Sequence, residues 1–318
     1  MTPTLVRQHV RHSGPVSRVD PRARARDWSE IQERMLVPLY EAVYERLEVG
    51  SGTRLLGLGC GSGLALLMAA SRGAAVTGVD TRPERLDLAR RRLLPQAWDT
   101  RARADARLVE GSPAAAAEAG AGAGAGPRAH ARADSGAGAG PGSGARADTD
   151  PGAVEAPYTL ITAFEPIGCL AGDAERLAGL LAEATPLAGR EAPVVLAGWG
   201  PPERCATASV LRVAAKLADP VRGAGCPRPA LRDDLEEVAR RAGLRPDGSG
   251  RVACPFGYAD LDSAVRGLLS TGLFDAAVEA TDGNQVGKEL AEALHAHQRS
   301  DGTVWMPNVF RYLVARTP

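Results

Sequence analysis

Aromatic residues make up only 4% of the 318-residue chain, and lysine occurs just twice, at Lys216 and Lys288. With so few rings, a core has to rest mainly on Ala, Leu and Val. Hydrophobic residues at 44% and charged residues at 24% make such a core possible, in proportions ordinary for a globular chain. Nearly all the basic charge is arginine, and 38 basic residues balance 38 acidic ones. Zero net charge argues against a dedicated nucleic-acid binder, which is usually basic. The five cysteines (Cys60, Cys169, Cys205, Cys226, Cys254) are scattered, odd in number and without a CxxC pair. That excludes a disulfide framework and a zinc site, and leaves reduced thiols in a cytoplasmic protein as the expectation. No apolar run reaches ~18 residues, so no transmembrane helix is expected. The N-terminal MTPTLVRQHV lacks the apolar stretch of a signal peptide.

Residues 1–27 carry six arginines and little apolar content, and read as a flexible arm. A helix should follow. Ser29 and Gln32 have capping-box spacing, and Ile31, Met35, Leu36, Leu39, Tyr40, Val43 and Leu47 share one helical face. Pro38 should kink or split it. From Arg54 the pattern becomes strand (54–58), glycine loop, helix (64–70), strand (76–79), and then a helix to Leu93 opened by a Thr81/Glu84 capping box. Residues 107–110 read as a weaker third strand. Such alternation predicts a right-handed parallel α/β sheet.

Ala and Gly then fill 26 of the 40 positions from 114 to 153. A segment of that kind has almost nothing to bury against its ordering entropy, so it reads as a disordered loop insertion. A domain linker is the other reading, but the α/β pattern resumes afterwards and needs the earlier strands. Strands are expected at 158–163, 193–198, 251–254 and 309–315, and helices at 174–185, 206–217 and 231–242, with Gly243 as a C-terminal stop. Residues 257–302 look helical.

The informative stretch is Leu55-Leu56-Gly57-Leu58-Gly59-Cys60-Gly61-Ser62-Gly63, followed by Gly78-Val79-Asp80. Glycines after a first strand let a ligand lie against the backbone, and the next helix offers unpaired N–H groups. An acid ending the second strand can accept from both ribose hydroxyls. The pattern therefore asks for a nucleoside-containing cofactor. A dinucleotide fingerprint needs G-x-G-x-x-G/A. Counted from Gly59 the sixth position is Leu64, and from Gly57 it is Ser62, so neither fits.

The observed G-x-G-x-G resembles motif I of the class I S-adenosylmethionine-dependent methyltransferases, hh(D/E)hGxGxG. Asp80 matches that family's ribose-binding acid. Gly111-Ser112 lies where the family often has Gly-Asp beside the adenine, and Thr162-Ala163-Phe164 lies where the fourth strand ends under the cofactor. The resemblance spans roughly residues 28–316, interrupted by the insertion. Two departures reduce charge in the site. Gly57 replaces the motif I acid that helps hold the methionine end, and Ser112 replaces the adenine-side acid. The resemblance implies a Rossmann-like, doubly wound seven-stranded sheet with its last strand antiparallel, spanning 28–318. It implies S-adenosyl-L-methionine as cofactor, bound by Gly57, Gly59, Cys60, Gly61, Gly63, Asp80, Thr81, Ser112, Ala163 and Phe164.

The chemistry so implied is methyl transfer to an oriented nucleophile, for which a general base is optional. His9, His12, His130, His295 and His297 offer no convincing one, and Glu165, after the fourth strand, is the single weak candidate. Phe164-Glu165-Pro166 does not match the (D/N)PP(Y/F) motif of amino-methylating enzymes. Trp28, Tyr40, Trp199 and Trp305 fall where this fold borders its pocket, and would suit an apolar or planar small molecule. Residues 201–230 and 257–302 add a helical cap, which suits an enclosed small-molecule acceptor, methylated at O, N or C, more than a nucleic acid or a membrane. No metal is called for. A non-catalytic S-adenosylmethionine-binding module is the alternative, favoured by Gly57 and the missing base. A nicotinamide-dependent oxidoreductase is disfavoured by the glycine spacing and the lack of a Tyr-x-x-x-Lys pair. The acceptor and the oligomeric state are not legible.

Overall fold

The computed structural model describes residues 20–94, 106–117, 158–218, 228 and 230–318. Asp20 accepts a hydrogen bond from the Arg22 N–H and caps helix α1 (Pro21–Asp27), with Pro21 in its first turn. Residues 21–27 are thus not part of a loose arm. Ala25 is buried, and Arg24 pairs with Asp275 at 2.7 Å. Residues 1–19 of the expected arm lie outside the described residues.

The chain runs on from α1 through a π-turn (Trp28–Gln32) and a 3-10 turn (Glu33–Leu36) into α2 (Val37–Arg46). Pro38 sits in the first turn of α2, where its missing N–H costs nothing, and the irregular stretch ends there. The expected Ser29/Gln32 capping box does not form, because the helix begins eight residues earlier at Pro21. Ser29 and Gln32 make tertiary bonds instead. The Thr81/Glu84 box is also absent: the N-cap of α4 is Arg82, which makes no side-chain cap bond.

Strands β1 (Arg54–Leu58), β2 (Ala75–Asp80), β3 (Ala106–Glu110), β4 (Leu160–Ile167), β5 (Pro193–Trp199), β6 (Arg245–Ala253) and β9 (Val309–Arg316) form one sheet in the order β3-β2-β1-β4-β5-β9-β6. The first five pair in parallel, and β9 runs antiparallel between β5 and β6. This is the doubly wound, Rossmann-like sheet expected from the sequence.

Successive residues of the central strands face opposite sides, as the period of two requires. On one face Leu55, Val76, Leu160 and Val195 pack with α2, α3 (Leu64–Ser71) and α6 (Thr207–Leu217). On the other, Leu56, Ile161, Val194 and Leu196 pack with α5 (Asp173–Ala184) and α7 (Asp234–Arg241). Helix α4 (Pro83–Leu93) follows β2 and buries Leu86, Ala89 and Leu93.

Helices α8 (Leu261–Ser270), α9 (Asp275–Ala280) and α10 (Gly283–Leu294) form the added layer before β9. Asp260 and Asp282 cap α8 and α10 by accepting from Ser263 N and Gln285 N. A two-stranded ribbon, β7 (Phe256–Tyr258) with β8 (Val304–Met306), closes the base of this layer, so residues 257–302 are not helical throughout. Within the expected insertion, residues 113–117 form a helical turn with Ala116 buried. The remainder of 114–153 lies outside the described residues, as do 219–227 and 229 of the expected cap.

Candidate functional site

Between β1 and α3 the chain turns through Gly59, Gly61 and Gly63 at φ of +59°, +58° and +80°, a region that side chains rarely adopt. The glycines also admit close neighbours. A Cβ on Gly61 would stand 3.1 Å from both Glu33 Oε1 and Trp28 Nε1. One on Gly59 would stand 3.4 Å from Glu165 Oε2. Two walls therefore flank the loop: the irregular turn after α1 over Gly61, and the end of β4 over Gly59.

Asp80 closes β2 and is 7% exposed. Its Oδ2 accepts the Gly61 N–H at 2.8 Å and its Oδ1 accepts the Arg82 N–H at 2.9 Å. A carboxylate has about four lone-pair sites, so one per oxygen remains for a ligand's hydroxyls. Gly111, at φ +119°, donates its N–H to the Asp80 carbonyl, which sets Ser112 beside Asp80. Thr81 is exposed on the same edge.

Behind the loop lies a polar network that the sequence did not reveal. The Glu33 carboxylate, 3% exposed, accepts from Ser62 N at 3.2 Å, from Ser62 Oγ in a short bond, and from Arg92 at 2.7 Å. Arg92 also donates to the Ser62 carbonyl and to Ser29 Oγ, both at 2.9 Å. No local pattern marks Glu33: it is one of several acids on an amphipathic stretch, and only the tertiary fold turns it inward.

The end of β4 is irregular. Its register with β5 slips between Ala163 and Ile167, a bulge that re-aims the intervening side chains. Glu165 lies in this bulge, 39% exposed, in a long ion pair with Arg82 at 3.4 Å. Burial raises its carboxyl, but Arg82, Arg85 and Arg176 together outweigh that and hold it below the usual carboxylate range.

A family of methyltransferase domains matches residues 56–112, the stretch from β1 through the glycine loop and Asp80 to Ser112. Over that stretch the chain is similar to a methyltransferase domain, and the sheet around it is doubly wound and Rossmann-like. No curated protein matches the chain. Among solved structures, it is similar to a Bacillus halodurans C-125 protein provisionally assigned as a methyltransferase, at 12% identity over 88% of this chain and 98% of that one, with a TM-score of 0.48. It is also similar to YjhP from E. coli, at 17% identity over 93% and 99% of the two chains, TM-score 0.45. A third is the geranyl diphosphate C-methyltransferase of Streptomyces coelicolor A3(2), at 14% identity over 90% and 80%, TM-score 0.44.

The protein has two adjoining spaces at the carboxyl edge of its sheet. A cleft of about 20 Å³ runs along Gly57, Gly59 and Gly61 between Tyr40, Phe164 and Arg85. A cavity of about 80 Å³ lies beside it, walled by Trp28, Ala163, Trp199, Phe256, Leu273 and Phe310. Trp28, Leu36, Leu58, Gly59 and Glu165 line both.

Trp28 is 8% exposed, lies under the Arg85 guanidinium at 4.2 Å, and leaves its buried Nε1–H without a partner. Arg85 makes one hydrogen bond, to the Ser270 carbonyl; burial and neighbouring Arg82 lower its pKa to about 10. Tyr40 stacks on Phe164 at 4.8 Å, and Trp199 on Phe310 at 4.6 Å. Tyr40 lines the cleft and Trp199 the cavity, while Trp305 lines neither. On β8 it alternates with buried Val304 and Met306, so it points outward, 38% exposed, under Arg299.

In the glycine loop the Cys60 N–H bonds the Val79 carbonyl, and its thiol packs at Gly78. Burial, with Asp80 and Glu33 nearby, pushes that thiol above the usual range. His295 bonds the Ala291 carbonyl and His297 contacts Ser209, in the turn after α10. Neither lines the cleft or the cavity. Among the described residues no cluster of His, Cys, Asp or Glu is placed to hold a metal ion, and no helix is long and apolar enough to cross a membrane.

Proposed function

We propose that the protein transfers a methyl group from S-adenosyl-L-methionine to a small, largely apolar acceptor at an O, N or C atom. The observation that carries this reading is the shared wall. The glycine-loop cleft opens onto an aromatic cavity through Trp28, Gly59 and Glu165. The residues fit the donor: a loop whose glycines leave a cradle that a Cβ would fill, a carboxylate with spare acceptor sites at Asp80, and an unpartnered buried donor at Trp28 Nε1.

When bound, S-adenosylmethionine supplies a methyl group already activated on a sulfonium sulfur. The chain's own contribution is orientation and exclusion of water. Asp80 accepts from the ribose, with the Gly111-Ser112 turn beside it and Ala163 and Phe164 beneath. Trp199, Phe256 and Phe310 fix an apolar acceptor, and Trp28 with Tyr40 closes the space between. Holding two reactants in line is worth ~7–11 kcal/mol of barrier. No protein base is assigned, because a carboxylate held below its usual pKa, as Glu165 is, makes a poor one. We read residues 28–318 as one domain, capped by 201–230 and 257–302 and interrupted by 114–153. Support comes from β3 and β4, on either side of the interruption, lying in the same sheet.

Calorimetric titration tests the reading. S-adenosylmethionine and S-adenosylhomocysteine should bind and NAD should not. Tight NAD binding, or no binding of either adenosyl ligand, would overturn it. Binding without S-adenosylhomocysteine production across a panel of apolar hydroxy, amino and phenolic acceptors would favour a non-catalytic module.

A further inference from the structure

The donor proposed above ends in an α-amino acid, and a zwitterion taken out of water needs an acceptor for its ammonium and donors for its carboxylate. Position 57 supplies no acceptor. It is glycine, and a Cβ there would meet Leu66 Cδ2 at 2.9 Å, so the position points into the packed face of α3 and not into free space.

Three carboxylates stand along the loop. Asp80 is bound to two backbone N–H groups at the ribose end. Glu33 is enclosed: Ser62 and Arg92 occupy its two oxygens, and it is 3% exposed. Glu165 is different. Its Oε2 faces Gly59 at 3.4 Å from the glycine's virtual Cβ, its only hydrogen bond among the described residues is the long one from Arg82, and it lines both the cleft and the cavity. The bulge in β4 is what brings it there.

The opposite charge also has its counterpart. Arg85 spends one hydrogen bond on the protein, and the Trp28 Nε1–H beneath it spends none. Arg85 and Glu165 both line the cleft, so a cation and a carboxylate face the space in which an amino-acid zwitterion would lie.

We propose that Glu165 binds the ammonium of the donor's amino-acid end, doing from β4 what no side chain at position 57 does from β1. This inference rests on the methyltransferase reading and on Glu165 being a cofactor-binding residue instead of a base.

The test compares two ligands by calorimetry: S-adenosylhomocysteine, which has the amino-acid end, and 5′-methylthioadenosine, which lacks it. Glu165→Gln should weaken S-adenosylhomocysteine roughly 10- to 150-fold, the range for one hydrogen bond to a charged group, and leave methylthioadenosine within about twofold. Glu165→Asp should recover part of the loss. Equal affinity of wild type and Glu165→Gln for S-adenosylhomocysteine would overturn the proposal, and so would a parallel loss for both ligands. A wild type that binds methylthioadenosine but not S-adenosylhomocysteine would also overturn it while leaving the adenosine site standing. A wild type that binds neither would sink the donor reading itself.

Discussion

Arg92 reaches across the back of the glycine loop to Glu33 at 2.7 Å, and the two side chains clamp Ser62 between them. This pair joins the turn after α1 to helix α4, 59 residues further on, and through Ser62 it also ties in the loop between β1 and α3. Removing one partner of a buried ion pair is far costlier than the pair is worth, because the other charge stays behind. Glu33→Ala should destabilise the protein by about 3 kcal/mol, the low end of such losses, since Arg92 keeps some contact with solvent. Urea unfolding of wild type, Glu33→Ala and Glu33→Ala/Arg92→Met checks it. The double variant should recover part of the loss, and a single variant as stable as wild type would show the pair to be idle.

Restoring an acid at position 57 should fail. The virtual Cβ already lies 2.9 Å from Leu66, so Gly57→Asp overpacks a buried site and adds a charge to it. The expected cost is ~1–3 kcal/mol from overpacking alone. The melting temperature should fall, and S-adenosylhomocysteine affinity should not improve. Tighter binding at unchanged stability would mean that the strand makes room after all.

Asp80 is both a ligand site and a tie. Its carboxylate holds Gly61 N and Arg82 N, so Asp80→Ala leaves a buried N–H without its partner. The variant should lose ~1–3 kcal/mol of stability and bind S-adenosylhomocysteine and S-adenosylmethionine roughly 10- to 150-fold more weakly. Asp80→Asn keeps an acceptor oxygen and should lose less stability than affinity. Paired denaturation and titration separate the two effects.

Glu165 carries a pH signature. Its folded-state pKa is depressed, so the stability it contributes is present above the unfolded value near 4.5 and is lost as pH falls through the lower folded value. The melting-temperature difference between wild type and Glu165→Gln should be constant from pH 8 to about 5 and shrink below pH 4.5. In the same neutral range, methyl-transfer rates should show no ionisation assignable to Glu165. A rate limb between pH 6 and 8 that vanishes in Glu165→Gln would identify a working base.

What the sequence made legible was local. The run from Leu55 to Gly63, the acid at Asp80 and the alternation of strands with helices each place their signal within a few residues, and a parallel α/β sheet followed from them. Pro38 likewise marked its own break. The misses were of two kinds. At the N-terminus, Asp20-Pro21 was the true helix start, but the arginines of α1 masked it, and Ser29 and Gln32 imitated a cap while serving Arg92 and Tyr258. Elsewhere the deciding contact was distant. Nothing near Phe256 announces its pairing with Met306, and that pairing is what turns Trp305 outward. Glu33 and Arg85 look like solvated surface charges until the tertiary fold buries them.

Trp28 belongs to both spaces at once. Its indole separates the glycine-loop cleft from the aromatic cavity, and together these measure far less than the ~300–1,000 Å³ of a pocket that takes a drug-sized ligand. The turn that carries Trp28 is, among the described residues, the one stretch of the N-terminal helical run without regular α geometry. Whatever factor the first ligand adds to the affinity of the second, the second returns to the first. On the proposed reading donor and acceptor share this one wall, so any displacement of Trp28 that favours one would be felt by the other.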